Sequence, residues 1–305
     1  MQAAQATRPL LALLIRLGAV AALATMSALI KLASQHGMHL LEVMFWRQFI
    51  TVPLLLGWVL LTARSLQPLK TRRPGTQFLR AFYGTIGMSM TFGAVILLPL
   101  AEATTFSFTA PIFAVLLSVV LLKEQVGMWR WSAVLAGFAG VLIIAQPGGS
   151  HFPIVGALVA LGAAFMVALI SIQIADLNRT DKPLAIVFYF AAFSSPMTAI
   201  ALPFVGQSHD ATGWLLIAAI GVTGLVGQLL LTAALRFGSL SSVIVMDYSS
   251  LFWATLYGFL LFDTLPPGST WFGAPLIAGA GIVIAWREHV LARQRRRTPA
   301  PLEDA

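Results

Sequence analysis

Residues 111–124 read PIFAVLLSVVLLKE, an apolar run that ends in a lysine and a glutamate. The pattern returns 139 positions later, where residues 250–263 read SLFWATLYGFLLFD and Asp263 stands at the position of Glu124. A short link and a glycine-containing apolar run follow both stretches. Leucine matches are common between apolar segments, so this shared context carries more weight than the identities. The sequence predicts two similar halves, with identical pairs at Phe113/Phe252, Leu117/Leu256, Leu121/Leu260 and Leu122/Leu261.

Apolar runs extend outward from these two stretches until they fill the chain. Hydrophobic residues make up 58% of the sequence and charged residues 10%, whereas a soluble domain has about 25% charged residues. A helix needs about 20 residues to cross the roughly 30 Å of hydrocarbon, and the two-residue period of barrel strands is absent. We predict an all-α membrane protein with ten transmembrane helices, of which the fifth and tenth borrow flanking residues. The predicted spans are 10–34, 40–62, 78–98, 104–122, 131–145, 153–175, 184–205, 213–235, 240–262 and 271–286.

Positive charge is confined to alternate links between the runs, and this pattern predicts the orientation because cytoplasmic loops are enriched in lysine and arginine. The links without a cation are 35–39, 99–103, 146–152, 206–211 and 263–270. The cations of the other links and the ends are Arg8, Arg64, Lys70, Arg72, Arg73, Lys123, Arg130, Arg179, Lys182, Arg236, Arg287, Arg293, Arg295, Arg296 and Arg297. We therefore place both termini in the cytoplasm. The net charge of +8 orients the chain, which argues against nucleic-acid binding.

Five runs in each half is an odd number, so two similar halves must lie upside down relative to each other in the membrane. Inverted repeats are typical of secondary transporters, whose site lies between the halves near the bilayer midplane. We predict a first repeat at residues 1–147, a second, inverted repeat at 148–290, and a basic cytoplasmic tail at 291–305 that reads as a disordered end. The two repeats are expected to surround a central cavity.

Several motifs carry a resemblance to a known family. The stretch LLPLAEATTFSFTAPIF at 97–113, with GFAGVLII at 137–144, resembles the fourth and fifth helices of the drug/metabolite transporter superfamily. The stretches SALIK at 27–31 and FWR at 45–47 are similar to its first two helices. The likeness spans residues 10–286 and favours the EamA family, which includes amino-acid exporters and S-adenosylmethionine uptake proteins. Ser250 stands where the family's repeat often has proline, and Asp263 where it often has glutamate. The resemblance implies ten helices around a cavity and transport without hydrolysis.

Arg16, Lys31, Arg47 and Asp247 are ionisable side chains inside the predicted spans, where such groups are costly and indicate function by default. Arg16 lies near the cytoplasmic end of its run, so we expect it to extend to the lipid surface in a structural role. Lys31 lies close to Glu42 across a short outer link. The two are expected to form an ion pair at the outer rim, unless Lys31 binds a substrate carboxylate.

Arg47 and Asp247 lie deeper in their runs. The planar guanidinium of Arg47 suits a carboxylate, although bonds to buried carbonyl groups would also satisfy it. Asp247 is a candidate for the coupling proton, for an anchor of a substrate ammonium group, or for a structural hydrogen bond. The two residues lie roughly 24 Å and 10 Å from the cytoplasmic ends of their helices, so we expect no direct pair between them.

The remaining candidates for substrate binding are aromatic, thioether and amide side chains that lie mid-span. Each either lines the cavity or packs in the core. They are Met26, Tyr83, Phe92, Phe108, Gln228, Met246 and Tyr248.

The sequence favours a secondary transporter of small organic metabolites in the bacterial inner membrane, with amino-acid export as its predicted activity. The alternatives are uptake of S-adenosylmethionine or a nucleoside-like metabolite, and an integral membrane enzyme. We find no polar cluster suited to catalysis, no cofactor motif and no metal-ligand spacing among His36, His39, His151, His209 and His289. Small molecules and the lipid bilayer are the expected partners, and a homodimer is compatible with the sequence.

Overall fold

The computed structural model describes residues 9–122, 128–145, 153–177, 180–237 and 244–297. Over these ranges the chain is helical with short connections and no strand, so the all-α prediction is confirmed. Two short 3-10 segments occur at Gln67–Leu69 and Ile244–Ser249. The α-helices are α1 Pro9–Gln35, α2 Leu40–Ala63, α3 Pro74–Leu97, α4 Leu100–Ser107, α5 Ala110–Leu122, α6 Met128–Ala145, α7 Ile154–Leu177, α8 Pro183–Ala199, α9 Leu202–Val205, α10 Ala211–Phe237, α11 Ser250–Phe262 and α12 Gly268–Arg297.

Within the described part of the chain, five helical segments are long and apolar enough to cross a membrane. They are Leu13–Gln35, Leu40–Ala63, Leu100–Leu117, Ile154–Ile174 and Ala211–Leu231, and shorter apolar helices occur at Trp131–Ile144, Pro183–Ala199 and Gly268–Val283. Large apolar side chains remain exposed on the outside of the bundle, for example Phe204 at 87% and Leu61 at 83%. Such a surface is stable against lipid rather than water. These observations establish a multi-pass helical protein, while the number ten stays a prediction.

The fourth predicted span, residues 104–122, is not a single helix in the structure, and its helical part begins before residue 104. Residues 100–103, assigned to an outer link, are helical and buried in α4, and α4 is separated from α5 at Phe108 and Thr109. The proline at position 111 causes the break, because it has no N–H to donate to a carbonyl one turn earlier. The amide of Thr109 instead bonds to Phe106 in a tighter turn.

The ninth predicted span is broken at the matching place, although it has no proline there. The 3-10 segment Ile244–Ser249 leads into α11 at Ser250, and α11 ends at Asp263 with a positive φ of 49°. Aspartate tolerates this left-handed conformation better than most side chains. Glu124, its sequence counterpart, lies outside the described residues, as do residues 240–243 of this span.

The ends of the other helices also refine the predictions. Helix α6 begins at Met128 and α12 at Gly268, so the two short runs do recruit flanking residues. The expectation of a disordered end is wrong as far as Arg297, because α12 continues to that residue. Leucine, alanine, glutamine and arginine in this segment are strong helix formers. Residues 298–305 lie outside the described part.

Long-range packing joins helices from the two halves of the sequence. Helix α1 packs along α10, α3 along α7, α2 along α8, and α6 along α12. Glycines permit the close approaches, because a Cβ at Gly221 would lie 2.9 Å from Ile50 and one at Gly227 would lie 2.7 Å from Leu23. The glycines of α10 therefore allow close helix packing.

Asp181, in the link between α7 and α8, ties that link to the segment before α3. Its carboxylate accepts hydrogen bonds from the Thr71 hydroxyl, from Gln77 Nε2 at 2.7 Å and from the Arg72 amide at 3.3 Å. Arg73 forms a second tie, an ion pair of 2.8 Å with Asp176. Burial opposes ionisation of Asp181, but the hydrogen bonds from Thr71, Gln77, Arg72 and Thr180 outweigh it and lower its pKa.

This lowered pKa predicts how the contact depends on pH. A depressed carboxyl pKa gives stability that is present above the unfolded value of about 3.9 and is lost as the pH falls through the folded value. We expect Asp181→Asn to reduce the free energy of unfolding by about 1–3 kcal/mol at pH 7. The difference in Tm between wild type and variant should be constant from about pH 8 to 5 and shrink only below about pH 4. A difference that vanishes near pH 6 would contradict this account.

Candidate functional site

Arg47 lies in the first third of α2 with its guanidinium inside the bundle. The residue is 8% exposed. Its Nε donates to the Met26 sulfur at 3.2 Å, and its Nη1 donates to Gln48 Oε1 at 3.0 Å and the Met88 sulfur at 3.1 Å. The guanidinium carbon lies 5.7 Å from the centre of the Phe92 ring. Thioether sulfurs are weak acceptors, so these contacts leave most of the cost of burying the charge uncompensated.

Arg80 of α3 is a second buried arginine in the same part of the bundle. It is 6% exposed, and its guanidinium lies 4.0 Å from the centre of the Phe190 ring of α8. Its Nε and Nη1 are buried and have no hydrogen-bond acceptor among the residues that the structure describes. Arg80 lies close enough to Arg47 for the two charges to interact electrostatically.

A short polar chain connects the surroundings of the two arginines. Gln48 accepts from Arg47 and donates from Nε2 to Ser194 Oγ at 2.6 Å. The Ser194 hydroxyl in turn donates to the carbonyl of Phe190, whose ring lies against Arg80. Helices α2, α3 and α8 therefore contribute to one enclosed cluster, which we call the arginine site: Arg47, Gln48, Arg80, Phe190 and Ser194.

The arginine site has no carboxylate partner in the described part of the chain. The acidic groups that form salt bridges in the described part of the chain pair with other residues: Asp247 with Arg16, Asp176 with Arg73, and Glu42 with His209. Two cations held together in a buried space repel each other and lose hydration, which costs several kcal/mol per ion. A buried cluster that accepts this cost is suited to bind an anion.

The surrounding residues belong to an apolar cluster that includes Met26, Met88, Phe92, Phe190 and Ile220. Among the described residues, no general base or nucleophile lies in contact with the guanidinium groups. The sequence model of the EamA-like transporter family matches residues 10–146 and again residues 154–286. The chain belongs to the EamA-like transporter family.

Several relatives cover most of this membrane transporter. It is 32% identical over 232 residues to a riboflavin transporter of Vibrio cholerae, covering 75% of this chain and 78% of that protein. It is 29% identical over 264 residues to a pseudopaline exporter of Pseudomonas aeruginosa, covering 85% and 90%. It is 28% identical over 256 residues to an S-adenosylmethionine uptake transporter of Rickettsia prowazekii, covering 82% and 84%.

A solved structure shares the fold. A crystal structure matches 94% of this chain and 99% of its own, with a TM-score of 0.59 at 21% sequence identity. The family model and the named relatives confirm the predicted family, and the protein is a multi-pass membrane transporter of small molecules. The names of its relatives differ in substrate, so family membership does not select one.

Arg16 and Asp247 form an ion pair. The sequence predictions for these two residues did not include it. Arg16 Nε lies 2.7 Å from Asp247 Oδ1, and Nη2 lies 2.6 Å from Oδ2. The Arg16 side chain is 8% exposed and that of Asp247 is 35% exposed. The expectation that Arg16 extends to the surface is wrong, because a carboxylate on the facing 3-10 segment satisfies the guanidinium inside the protein. Asp247 and Arg47 do not pair, as predicted.

The predicted rim pair between Lys31 and Glu42 is also wrong. Lys31 donates to the carbonyl oxygens of Val95, at 2.9 Å, and Leu98, which lie at the C-terminal end of α3. Glu42 accepts instead from His209 Nε2 at 2.7 Å. Cations near a helix C-terminus stabilise its unpaired carbonyls, which explains why Lys31 favours α3. In the described structure Lys31 thus binds the C-terminal end of α3, and its role in substrate binding stays a prediction.

Phe108 and Tyr248 meet where the two broken helices adjoin. Their ring centres are 4.8 Å apart in an edge-to-face arrangement. Both line an apolar cavity of about 190 Å³ with Leu251, Thr255 and Thr270. This cavity does not include either buried arginine, and a groove of about 390 Å³ between α2 and α8 does not include them either. The arginine site is thus enclosed by side chains.

The structure brings together only some of the predicted binding residues. Met26, Arg47 and Phe92 meet at the arginine site, while Phe108 and Tyr248 meet at the helix breaks. Three other candidates are partly buried at other places in the bundle: Tyr83, Gln228 and Met246. The Tyr83 ring lies next to that of Phe82 on α3.

Sequence reasoning missed Arg80, Gln48, Ser194 and Glu102. Arg80 lies near the start of its apolar run and therefore resembles a loop cation, while Glu102 was placed in an outer link. A usable signal was the spacing of Arg80 and Gly84, since a glycine one turn away leaves room for a long side chain to fold inward. A Cβ on Gly84 would collide with Arg80 Nη1 and lie 2.6 Å from the Phe190 ring.

Proposed function

We propose that this protein is a secondary transporter that moves small organic metabolites across the bacterial inner membrane by alternating access. The observation that carries the proposal is the arginine site, an enclosed polar cluster inside an apolar bundle. Intramembrane ionisable groups that face the protein interior mark substrate pathways. Family membership supports the same activity, since the relatives are named as transporters.

The helix packing supports ten spans arranged as two inverted repeats, residues 1–147 and 148–290, with a basic tail after them. If α1 corresponds to α7 and α3 to α10, the contact of α1 with α10 becomes the contact of α7 with α3. Both contacts are extensive. The contacts α2–α8 and α6–α12 each join a helix to its own counterpart in the other repeat. The exchange of contacts between halves is what a pseudo-twofold axis in the membrane plane produces.

We propose amino acids or related metabolites as substrates and export as the direction. Uptake is the second candidate, because relatives are named as transporters of riboflavin and of S-adenosylmethionine. These compounds share a flat or apolar part with aromatic amino acids. The aromatic and thioether walls around Arg47 and Arg80 would accommodate any of them.

Transport by purified protein tests this proposal. In sealed liposomes without ATP, we expect counterflow of at least one labelled compound from a panel of phenylalanine, riboflavin and S-adenosylmethionine. Protein-free liposomes, and liposomes with heat-denatured protein, are the controls. Movement that requires ATP hydrolysis by an added enzyme would refute a secondary mechanism.

Orientation is tested separately by cysteine labelling, without background because the chain has no native cysteine. We expect single cysteines at Gln67 and Gln294 to react only from the cytoplasm, since positively charged links remain inside. Cysteines at His151 and Ser208 should react from outside with a membrane-impermeant maleimide. Gln67 and Ser208 are exposed, so their labelling does not depend on unfolding. Outside labelling at Gln67 in intact cells would reverse the assignment of both termini.

A further inference from the structure

We propose that Arg47 and Arg80 together bind the anionic group of the transported substrate, a carboxylate or a phosphate on an organic body. The inference rests on the proposed transport function and names the substrate class of its central site. Arg80 is the new element, because with it the site has two buried cations, rather than one, that can bind the same anion.

The unused donors of Arg80 point to a ligand. Arg80 is 6% exposed, yet Nε and Nη1 have no acceptor within the described ranges of the chain. Buried donors are satisfied in nearly all native structures, so such a pair requires an explanation. The planar fork of a guanidinium matches two oxygens of a carboxylate or phosphate. Nε and Nη1 donate on opposite sides of the guanidinium, so an anion bound beside Arg80 would accept from one of these two nitrogens.

The charge of the site favours the same ligand. Arg47 and Arg80 interact electrostatically and no carboxylate forms a salt bridge with either in the described part of the chain. A single anion placed near both guanidinium groups would offset the repulsion between them and replace lost hydration. A neutral or cationic ligand group would do neither.

Two glycines leave space for the guanidinium groups. A Cβ on Gly84 would collide with Arg80 Nη1, and a Cβ on Gly224 would lie 3.0 Å from Arg47 Nε and 2.9 Å from the Met26 sulfur. Larger residues at these positions would displace both cations. The arrangement of the arginines therefore depends on two backbone positions on α3 and α10.

The walls of the site indicate an organic anion rather than a bare inorganic one. Phe92 and Phe190 present ring faces to the two guanidinium groups, and Met26 and Met88 contribute sulfur atoms. Such surfaces bind flat or apolar groups through dispersion. A carboxylate or phosphate attached to an aromatic or apolar body fits both parts of the site.

The two arginines also approach the site from opposite ends of antiparallel helices. Arg47 follows the start of α2 by seven residues, roughly 10 Å, and Arg80 follows the start of α3 by six residues, roughly 9 Å. In the proposed orientation Arg47 originates from the outer half and Arg80 from the cytoplasmic half. An anion held between them would keep one guanidinium partner while access changes sides.

Ligand binding by the full-length protein in lipid nanodiscs tests the inference without requiring transport. The probes are benzoate and phenyl phosphate, with benzamide as the uncharged match, at constant ionic strength. We expect either anion to raise Tm with half-saturation at a concentration about tenfold or more below that of benzamide. Equal responses to benzoate and benzamide, or no response to either anion, would overturn the proposal.

Variants then locate the site. Arg47→Gln and Arg80→Gln should remove the preference for the anion, whereas Arg72→Gln, an exposed arginine, should keep it. If a glutamine variant does not fold, Arg80→Lys keeps the charge but not the fork, and the preference should still fall severalfold. A full preference in the folded Arg80 variants contradicts the assignment.

Failure of this inference and failure of the transport proposal remain distinguishable. Protein that binds benzoate through both arginines but moves no compound would retain the anion site and refute transport. Protein that moves an organic anion equally well in wild type and Arg80→Gln would retain transport and refute the anion site.

Discussion

Asp247→Asn is expected to destabilise the protein and not only to impair transport. The substitution leaves the guanidinium of Arg16 buried beside a neutral amide. Removing one partner of a fully buried ion pair costs about 3–5 kcal/mol, and the partial exposure of Asp247 reduces the expected loss to roughly 1–3 kcal/mol. The measurement is the unfolding free energy of the two single variants and the double variant in detergent.

The double variant Arg16→Gln with Asp247→Asn is the control. Because it removes both charges, it should recover most of the stability lost in Asp247→Asn, and the coupling energy of the cycle should be about 1 kcal/mol or more. Additive effects of the two substitutions would show that the ion pair contributes no stability.

The same variants separate a structural from a coupling role for Asp247, which we propose as the coupling residue. If Asp247 carries the coupling proton, both Asp247→Asn and the double variant should lose the response of transport to a pH gradient but keep substrate exchange. If the carboxylate binds a substrate ammonium group, binding itself should weaken. Recovery of pH-driven transport in the double variant would leave Asp247 with a packing role alone.

Gly273→Ala is expected to separate α12 from α6. A Cβ at Gly273 would lie 2.6 Å from the carbonyl oxygen of Gly140 and would also collide with Ile144. The carbonyl belongs to backbone and cannot rotate away as a side chain would. Overpacking of this kind costs about 1–3 kcal/mol and occasionally more, and we expect the upper end of that range in thermal unfolding.

Gly279→Ala on the same helix is the matched control, because nothing lies within 4 Å of the added methyl group. It should leave stability unchanged or raise it by up to about 1 kcal/mol, since alanine favours the helix more than glycine does. Equal destabilisation by both substitutions would indicate that helix α12 tolerates no substitution, and would disprove a specific contact with α6.

The candidate site was predictable in part. Arg47 stands out in the sequence because a cation seven residues into an apolar run has few routes to the lipid surface. Arg80 does not stand out, because its distance from the start of the run is within the range of loop cations. Only the contact of its guanidinium with Phe190, a residue 110 positions away, shows that it points into the bundle.

By itself, the sequence determined the class of the protein, the approximate positions of its helices and its family. Length and apolarity of a run suffice for these, because the bilayer requires internally bonded helices of a set length. The tertiary structure decided which polar groups meet. Arg16 pairs with a residue 231 positions away, and Lys31 bonds to α3 rather than to Glu42. Such pairings depend on the rotation of each helix about its axis, and a run that is apolar on all sides does not specify that rotation.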